Sequence, residues 1–137
     1  MTERSFVDTN VLVYAADRSA GAKQRVAAEL LDSGILSGKI VFSIQVFQEY
    51  FSACIKKLQV DPAIARRTIE LYGQQSVVLP DVDDILQAID LHRLHQLSVW
   101  DALIVRAAIR GQCKVLYTED LQHRQVFQGL RVVNPFV

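Results

Sequence analysis

Short runs rich in β-branched and aromatic residues recur along the chain, mostly separated by stretches with helical periodicity. This alternation is the strongest constraint on the fold. The β-rich runs are residues 4–8 (RSFVD), 39–43 (KIVFS), 76–80 (SVVLP), 114–118 (KVLYT) and 130–134 (LRVVN). Helix signals fill the intervals. VLVYAAD begins a helix, and AKQRVAAELLDSG continues it to a stop at Gly34. Ser43 caps IQVFQEYFSACIKKL, and Asp61 caps a helix with Pro62 at its first position that runs to about Gln75. DVDDILQAIDLHRLHQ carries acids in its first turn, where the helix dipole favours them. Ser98 caps VWDALIVRAAIRG, which stops at Gly111. Strands separated by helices require crossover connections, so the expected fold is α/β: a three-layer α/β/α domain with a mainly parallel five-stranded sheet. No repeat or linker interrupts the pattern, and residues 1–137 read as one domain.

Fifteen basic residues balance fifteen acidic ones. A protein that held nucleic acid by bulk charge would be basic overall, so any RNA contact here must rest on a local patch. Half of the residues are hydrophobic, which suits buried strands or partner-covered surface. The longest apolar run, VLVYAA (residues 11–16), is far short of the ~20 residues of a membrane span. No signal-peptide core is present near the start, and the expectation is a soluble cytoplasmic protein. Cys54 and Cys113 lie far apart in apolar segments, as buried thiols do in a reducing compartment.

Ligands of open parallel sheets bind outside the carboxyl ends of the strands. Asp8 ends the first strand, Asp120 follows the fourth, and Glu49 lies one to two turns into the helix leaving the second. Asp101 sits in the first turn of a helix whose next residues are too apolar to face water. Each has a plain structural reading as well. Asp8 suits a turn or helix cap, Glu49 a solvated helix face, Asp101 a capping box with Ser98, and Asp120 a turn in which Glu119 competes for its role. Convergence on one rim sets the group apart. Two carboxylates 4 Å apart repel by ~4 kcal/mol at an effective dielectric of 20, so four in one pocket call for protons or a cation. Oxygen ligands without His or Cys select Mg²⁺ or Mn²⁺, ions suited to phosphodiester hydrolysis.

VDTNVLVYAAD near the start, the helix carrying Glu49, SVWDALIVRAA and LYTEDLQ together resemble the successive motifs of PIN-domain nucleases. Within these, the chain most resembles the VapC-type toxins of bacterial toxin–antitoxin pairs, over nearly its whole length. The resemblance implies a metal-dependent endoribonuclease acting on single-stranded or loop RNA, with Asp8, Glu49, Asp101 and Asp120 as catalytic metal ligands. It favours Asp120 over Glu119, because the T-x-D pattern falls on Thr118-Glu119-Asp120. Thr9, Asn10, Ser98 and Thr118 match supporting polar positions. It further implies water attack leaving a 5′-phosphate and a 3′-hydroxyl, a homodimer, and a small antitoxin whose C-terminal segment occupies the active-site groove. One departure is visible: many relatives carry Gly after the histidine that follows this motif, and here Arg124 follows His123.

Other features have simpler explanations. The basic residues Lys56, Lys57, Arg66, Arg67, Arg93, Arg106 and Arg110 read mainly as solvated helix faces, His92 and His95 as a surface pair, and Trp100 as a core or interface anchor. Among rival functions, a non-toxin PIN nuclease of RNA processing would lack an adjoining antitoxin gene. A haloacid-dehalogenase-type phosphohydrolase wants a second acid two residues after its nucleophile, and Asn10 stands there. A non-catalytic RNA-binding module would tolerate loss of an acid, and all four are present.

Overall fold

The computed structural model describes residues 1–137. Strands β1 (Ser5–Val7), β2 (Ile40–Ser43), β3 (Ser76–Val78), β4 (Val115–Tyr117), β5 (Val126–Phe127) and β6 (Leu130–Val133) form one six-stranded sheet in the order β3-β2-β1-β4-β6-β5. All pairings are parallel except β5 with β6. The helices are α1 (Thr9–Ala16), α2 (Ala22–Ser37), α3 (Ile44–Ala53), α4 (Pro62–Tyr72), α5 (Val82–His95) and α6 (Val99–Arg110). A π-helical turn, Cys54–Leu58, extends α3.

Helices α1 to α4 pack on one another, and α5 packs on α6. Right-handed crossovers put these two groups on opposite faces of the sheet. The strands between them are buried on both sides, and Phe6, Val41, Phe42, Leu116 and Val132 are fully enclosed. Burial of each such large side chain contributes ~1.5–3 kcal/mol. From β1 the chain moves outward through β2 and β3, then returns to the other side of β1 as β4. The carboxyl ends of β1 and β4 therefore flank a topological switch point, where open sheets leave a crevice.

Three expectations need correction. The sheet has six strands, because Val126–Phe127 turns back on β6 through Gln128 and Gly129, both at positive φ (50° and 86°). That is a two-residue hairpin in which both central residues adopt left-handed backbone. Second, α1 and α2 are separate helices, broken across residues 17–21 where Gly21 takes φ 62°. Third, α2 does not stop at Gly34 but runs on to Ser37 and ends at Gly38, in the left-handed conformation. Gly34 serves packing instead: a Cβ there would lie 2.9 Å from Ile40, so its absence lets α2 close on β2. No helix is long and apolar enough to cross a membrane.

Candidate active site

The switch point opens into a cleft of about 660 Å³ whose walls include Asp8, Glu49, Asp101 and Asp120. The four acids arrive on four different elements. Asp8 is the residue between β1 and α1, where its Oδ1 accepts a hydrogen bond from Thr9 N (2.7 Å) and caps the helix. Its Oδ2 accepts from the Thr118 hydroxyl (2.8 Å). The residue is only 5% exposed. Burial therefore pushes its carboxyl up to about 7, and the charges of Asp120 and Glu49 push the same way against the two hydrogen bonds.

Glu49 projects from α3, which Ser43 caps by accepting from Val46 N (3.4 Å). Its carboxylate accepts from the Thr9 hydroxyl (2.6 Å) and from Gln45 Nε2 (3.5 Å). Asp101 stands in the first turn of α6, where its N–H donates to Ser98 Oγ (3.0 Å). Burial raises its pKa above the usual carboxylate value, and Asp120 and Glu49 add to the rise, while the Ser98 hydroxyl beside the carboxyl group opposes it. Asp120 follows β4; its N–H donates to Thr118 Oγ1 (3.0 Å), and Asn10 Nδ2 donates to its carboxylate (3.0 Å) and to Thr118 Oγ1 (3.2 Å). Thr118, with no exposed surface, joins Asp8, Asn10 and Asp120 in one network. Asn10 Oδ1 is the single buried side-chain polar atom without a partner.

A family model described as the PIN domain matches residues 5–127. The chain belongs to the PIN-domain family. The PIN fold is also that of three solved structures at 17–21% identity. One is a toxin–antitoxin complex from Klebsiella pneumoniae (TM-score 0.70, 21% identity, 96% of this chain and 97% of that one). Another is Mycobacterium tuberculosis VapC20, described as a Sarcin-Ricin loop cleaving toxin (0.68, 20%, 85% and 89%). The third is FitAcB from Neisseria gonorrhoeae (0.66, 17%, 96% and 98%). No curated protein matches the chain.

In this PIN domain, all four acids singled out in the sequence line the one cleft, with Thr9 and Asn10 beside them. Ser98 and Thr118 act one step back, holding Asp101 and Asp8 by hydrogen bonds. Glu119 also lines this cleft, but its carboxylate is engaged by other partners. It accepts from the Tyr14 hydroxyl and, at 3.0 Å, from Lys23, whose ammonium lies over the Tyr14 ring. The histidines are structural. His92 Nδ1 donates to Leu97 O (2.5 Å), His95 meets the Phe127 ring edge-on, and His123 accepts from Asn134 N.

Two side-chain expectations change. Of the core and interface readings of Trp100, its 65% exposure at the rim of the cleft rules out the core. Arg106 and Arg110 are not merely solvated, since both reach back to Asp84 on α5. The Asp84 side chain is 4% exposed. Burial alone would raise its carboxyl, but the Asp81 N–H, Arg110 and Arg106 hold it below the ordinary range. A sequence shows the acids of α5 as dipole-favoured residues and gives no signal of the helix they face.

Proposed function

We propose that the chain is a Mg²⁺- or Mn²⁺-dependent endoribonuclease that hydrolyses phosphodiester bonds in single-stranded or loop RNA, and that it is the toxin of a type II toxin–antitoxin pair. The observation that carries the reading is the convergence of carboxyl groups from four elements on one cleft, with Asp8 held at a pKa of about 7 by burial and by its acidic neighbours. Membership of the PIN family and the likeness to a cleaving toxin and to a toxin–antitoxin complex support it.

The donor set fits a hard divalent cation. It is all oxygen, its negative charge is crowded enough to perturb Asp8 and Asp101, and Asn10 offers one more oxygen with no partner. No three acidic, histidine or cysteine side chains form a ready cage as they lie. Glu49 and Asp120 are held by hydrogen bonds from Thr9 and Asn10. Asp8, Glu49, Asp101 and Asp120 would hold the ion, which when bound activates water and neutralises charge on the phosphate and the leaving oxygen. The chain's own groups do the rest. Thr118 and the Thr9 N–H fix both oxygens of Asp8, Asn10 orients Asp120, and Ser98 fixes the turn that presents Asp101. Asp8 would have to give up its proton to hold a cation, so binding would strengthen as pH rises through about 7. Water attack on phosphorus would leave a 5′-phosphate and a 3′-hydroxyl.

The partners in this reading are the RNA substrate, a second copy of the chain, and a small antitoxin protein whose segment fills the cleft, all in the cytoplasm. The test is cleavage of a labelled single-stranded RNA panel by purified protein in Mn²⁺ or Mg²⁺, with EDTA and Asp8→Asn preparations alongside. Cleavage by the wild type alone supports the reading. Equal cleavage in all three preparations, or none by folded protein free of antitoxin, overturns it.

A further inference from the structure

The acid cleft does not end at Glu49. It opens into a second compartment of about 690 Å³ between the α1–α2 connection and α4, and the two share Asp17, Ser19, Lys57 and Leu58 as walls. Gln45, Glu49, Ala53 and Lys57, spaced by four, all face the groove. In a straight α-helix a row at that spacing drifts by about 40° per step. The π-helical turn Cys54–Leu58 takes more residues per turn, so its four-residue step falls short of a full circle and cancels the drift. The turn thus keeps Lys57 on the line of Glu49, about 12 Å farther along the helix. A one-turn π segment of this kind often marks a functional position.

Lys57 and Arg18 both line the second compartment, both are exposed, and neither takes part in the ion pairs of the protein. Two acids line it too, but each carboxylate is turned back on its own chain. Asp17 accepts from the N–H and hydroxyl of Ser19, and Asp61 accepts from Ala63 N at the start of α4. The second compartment is thus balanced in formal charge, whereas the cleft is dominated by acids, and the lining cations of the groove, Lys57 and Arg18, stand beyond those acids. We infer that single-stranded RNA runs along this groove, with the scissile phosphodiester at the acids and a flanking phosphate held by Lys57, Arg18 assisting farther on. At 3.4 Å per stacked nucleotide, the separation spans about three or four nucleotides, and fewer in an extended strand. This rests on the ribonuclease reading above. It adds to that reading the direction of the substrate track and a residue that sets affinity without touching the reacting atoms.

The test is steady-state cleavage of a labelled RNA decamer in Mn²⁺ across a salt series, comparing the wild type with Lys57→Gln, Lys57→Arg and Lys56→Gln. Lys56 carries the same charge on the same turn and lines neither compartment. Lys57→Gln should raise KM roughly fivefold with kcat held, and should flatten the dependence of log KM on log salt by about 0.7. Lys57→Arg should restore both, and Lys56→Gln should match the wild type. If Lys57→Gln behaves as Lys56→Gln does while the wild type cleaves, the track is wrong and the second compartment is left to a protein segment. If the wild type does not cleave, the ribonuclease reading itself fails and the track falls with it.

Discussion

The hydroxyl of Thr118 donates to Asp8 Oδ2 across 2.8 Å, tying the residue after β4 to the residue after β1, 110 positions earlier. The bond spans the switch point of the sheet, and it gives the enclosed carboxylate its second hydrogen bond beside that from Thr9 N. A buried acid with a pKa of about 7 is a stability cost whenever it is ionised. Such a cost is retained where the charged form has work to do.

The first expectation concerns Asp8 in the absence of metal. Its folded pKa of about 7 lies above the ordinary 3.8, so the folded state binds more protons between those values. The stability of the metal-free protein therefore falls as pH rises from about 4 to about 7, by up to ~4 kcal/mol from this residue. Asp8→Asn should raise the melting temperature in EDTA at pH 8, with the gain fading toward pH 4. The net gain is nearer 2 kcal/mol, because an amide meets Thr9 and Thr118 less well than a carboxylate does. Thermal melts of both proteins across that pH range check this; a mutant that melts lower at pH 8 would contradict it.

Ser98→Ala removes the acceptor for Asp101 N–H at the start of α6. Loss of an N-cap costs ~1 kcal/mol. Since Asp101 stands in the freed turn, cleavage should fall more than that modest loss of stability explains. Parallel melting and kcat measurements separate the two effects.

Asp84→Ala should cost about 3 kcal/mol, because it strands Arg106 and Arg110 beside an enclosed site and removes the capping box of α5. The Asp84 pKa is lowered in the fold, so its contribution is present above the ordinary carboxylate range and is lost as pH falls through the folded value. Urea unfolding at pH 7 and at pH 3 should show a smaller difference between wild type and variant at pH 3.

Arg124 takes φ 74°, in the left-handed region that favours glycine. A non-glycine residue there costs ~1–2 kcal/mol, partly offset because glycine loses more entropy on folding. Arg124→Gly should therefore melt at or slightly above the wild type, whereas Arg124→Val should melt below it. A marked loss with glycine would mean that the arginine side chain, not the backbone, holds the loop.

The parts of this protein legible in its sequence follow from rules of period and position. Asp8 and Asp120 could be placed because each ends a β-rich run, and parallel sheets offer one rim at those ends. Ser43, Asp61 and Ser98 could be named as caps because their chemistry is local, and each accepts the bond expected of it. Glu49 was open between cleft and solvent, since the face a helix presents depends on partners remote in sequence. The β5–β6 hairpin is silent in the sequence because its turn is Gln128-Gly129, without the Asn or Asp that announces such turns. The π turn that aligns Lys57 with Glu49 leaves no compositional trace, and the Asp84 ion pairs form between two helices whose packing no single-helix pattern records.

The central claim is that the four acids together hold a divalent metal, and direct binding tests it best. Mn²⁺ should be titrated calorimetrically into the wild type and into Asp8→Asn, Glu49→Gln, Asp101→Asn and Asp120→Asn, at pH 7.5 and after each has been shown to be folded. The account predicts binding by the wild type that weakens tenfold or more in each variant, with the Mn²⁺-induced rise in melting temperature lost in parallel. Unchanged Mn²⁺ binding in Asp8→Asn and Asp120→Asn would place the ion elsewhere and contradict the account.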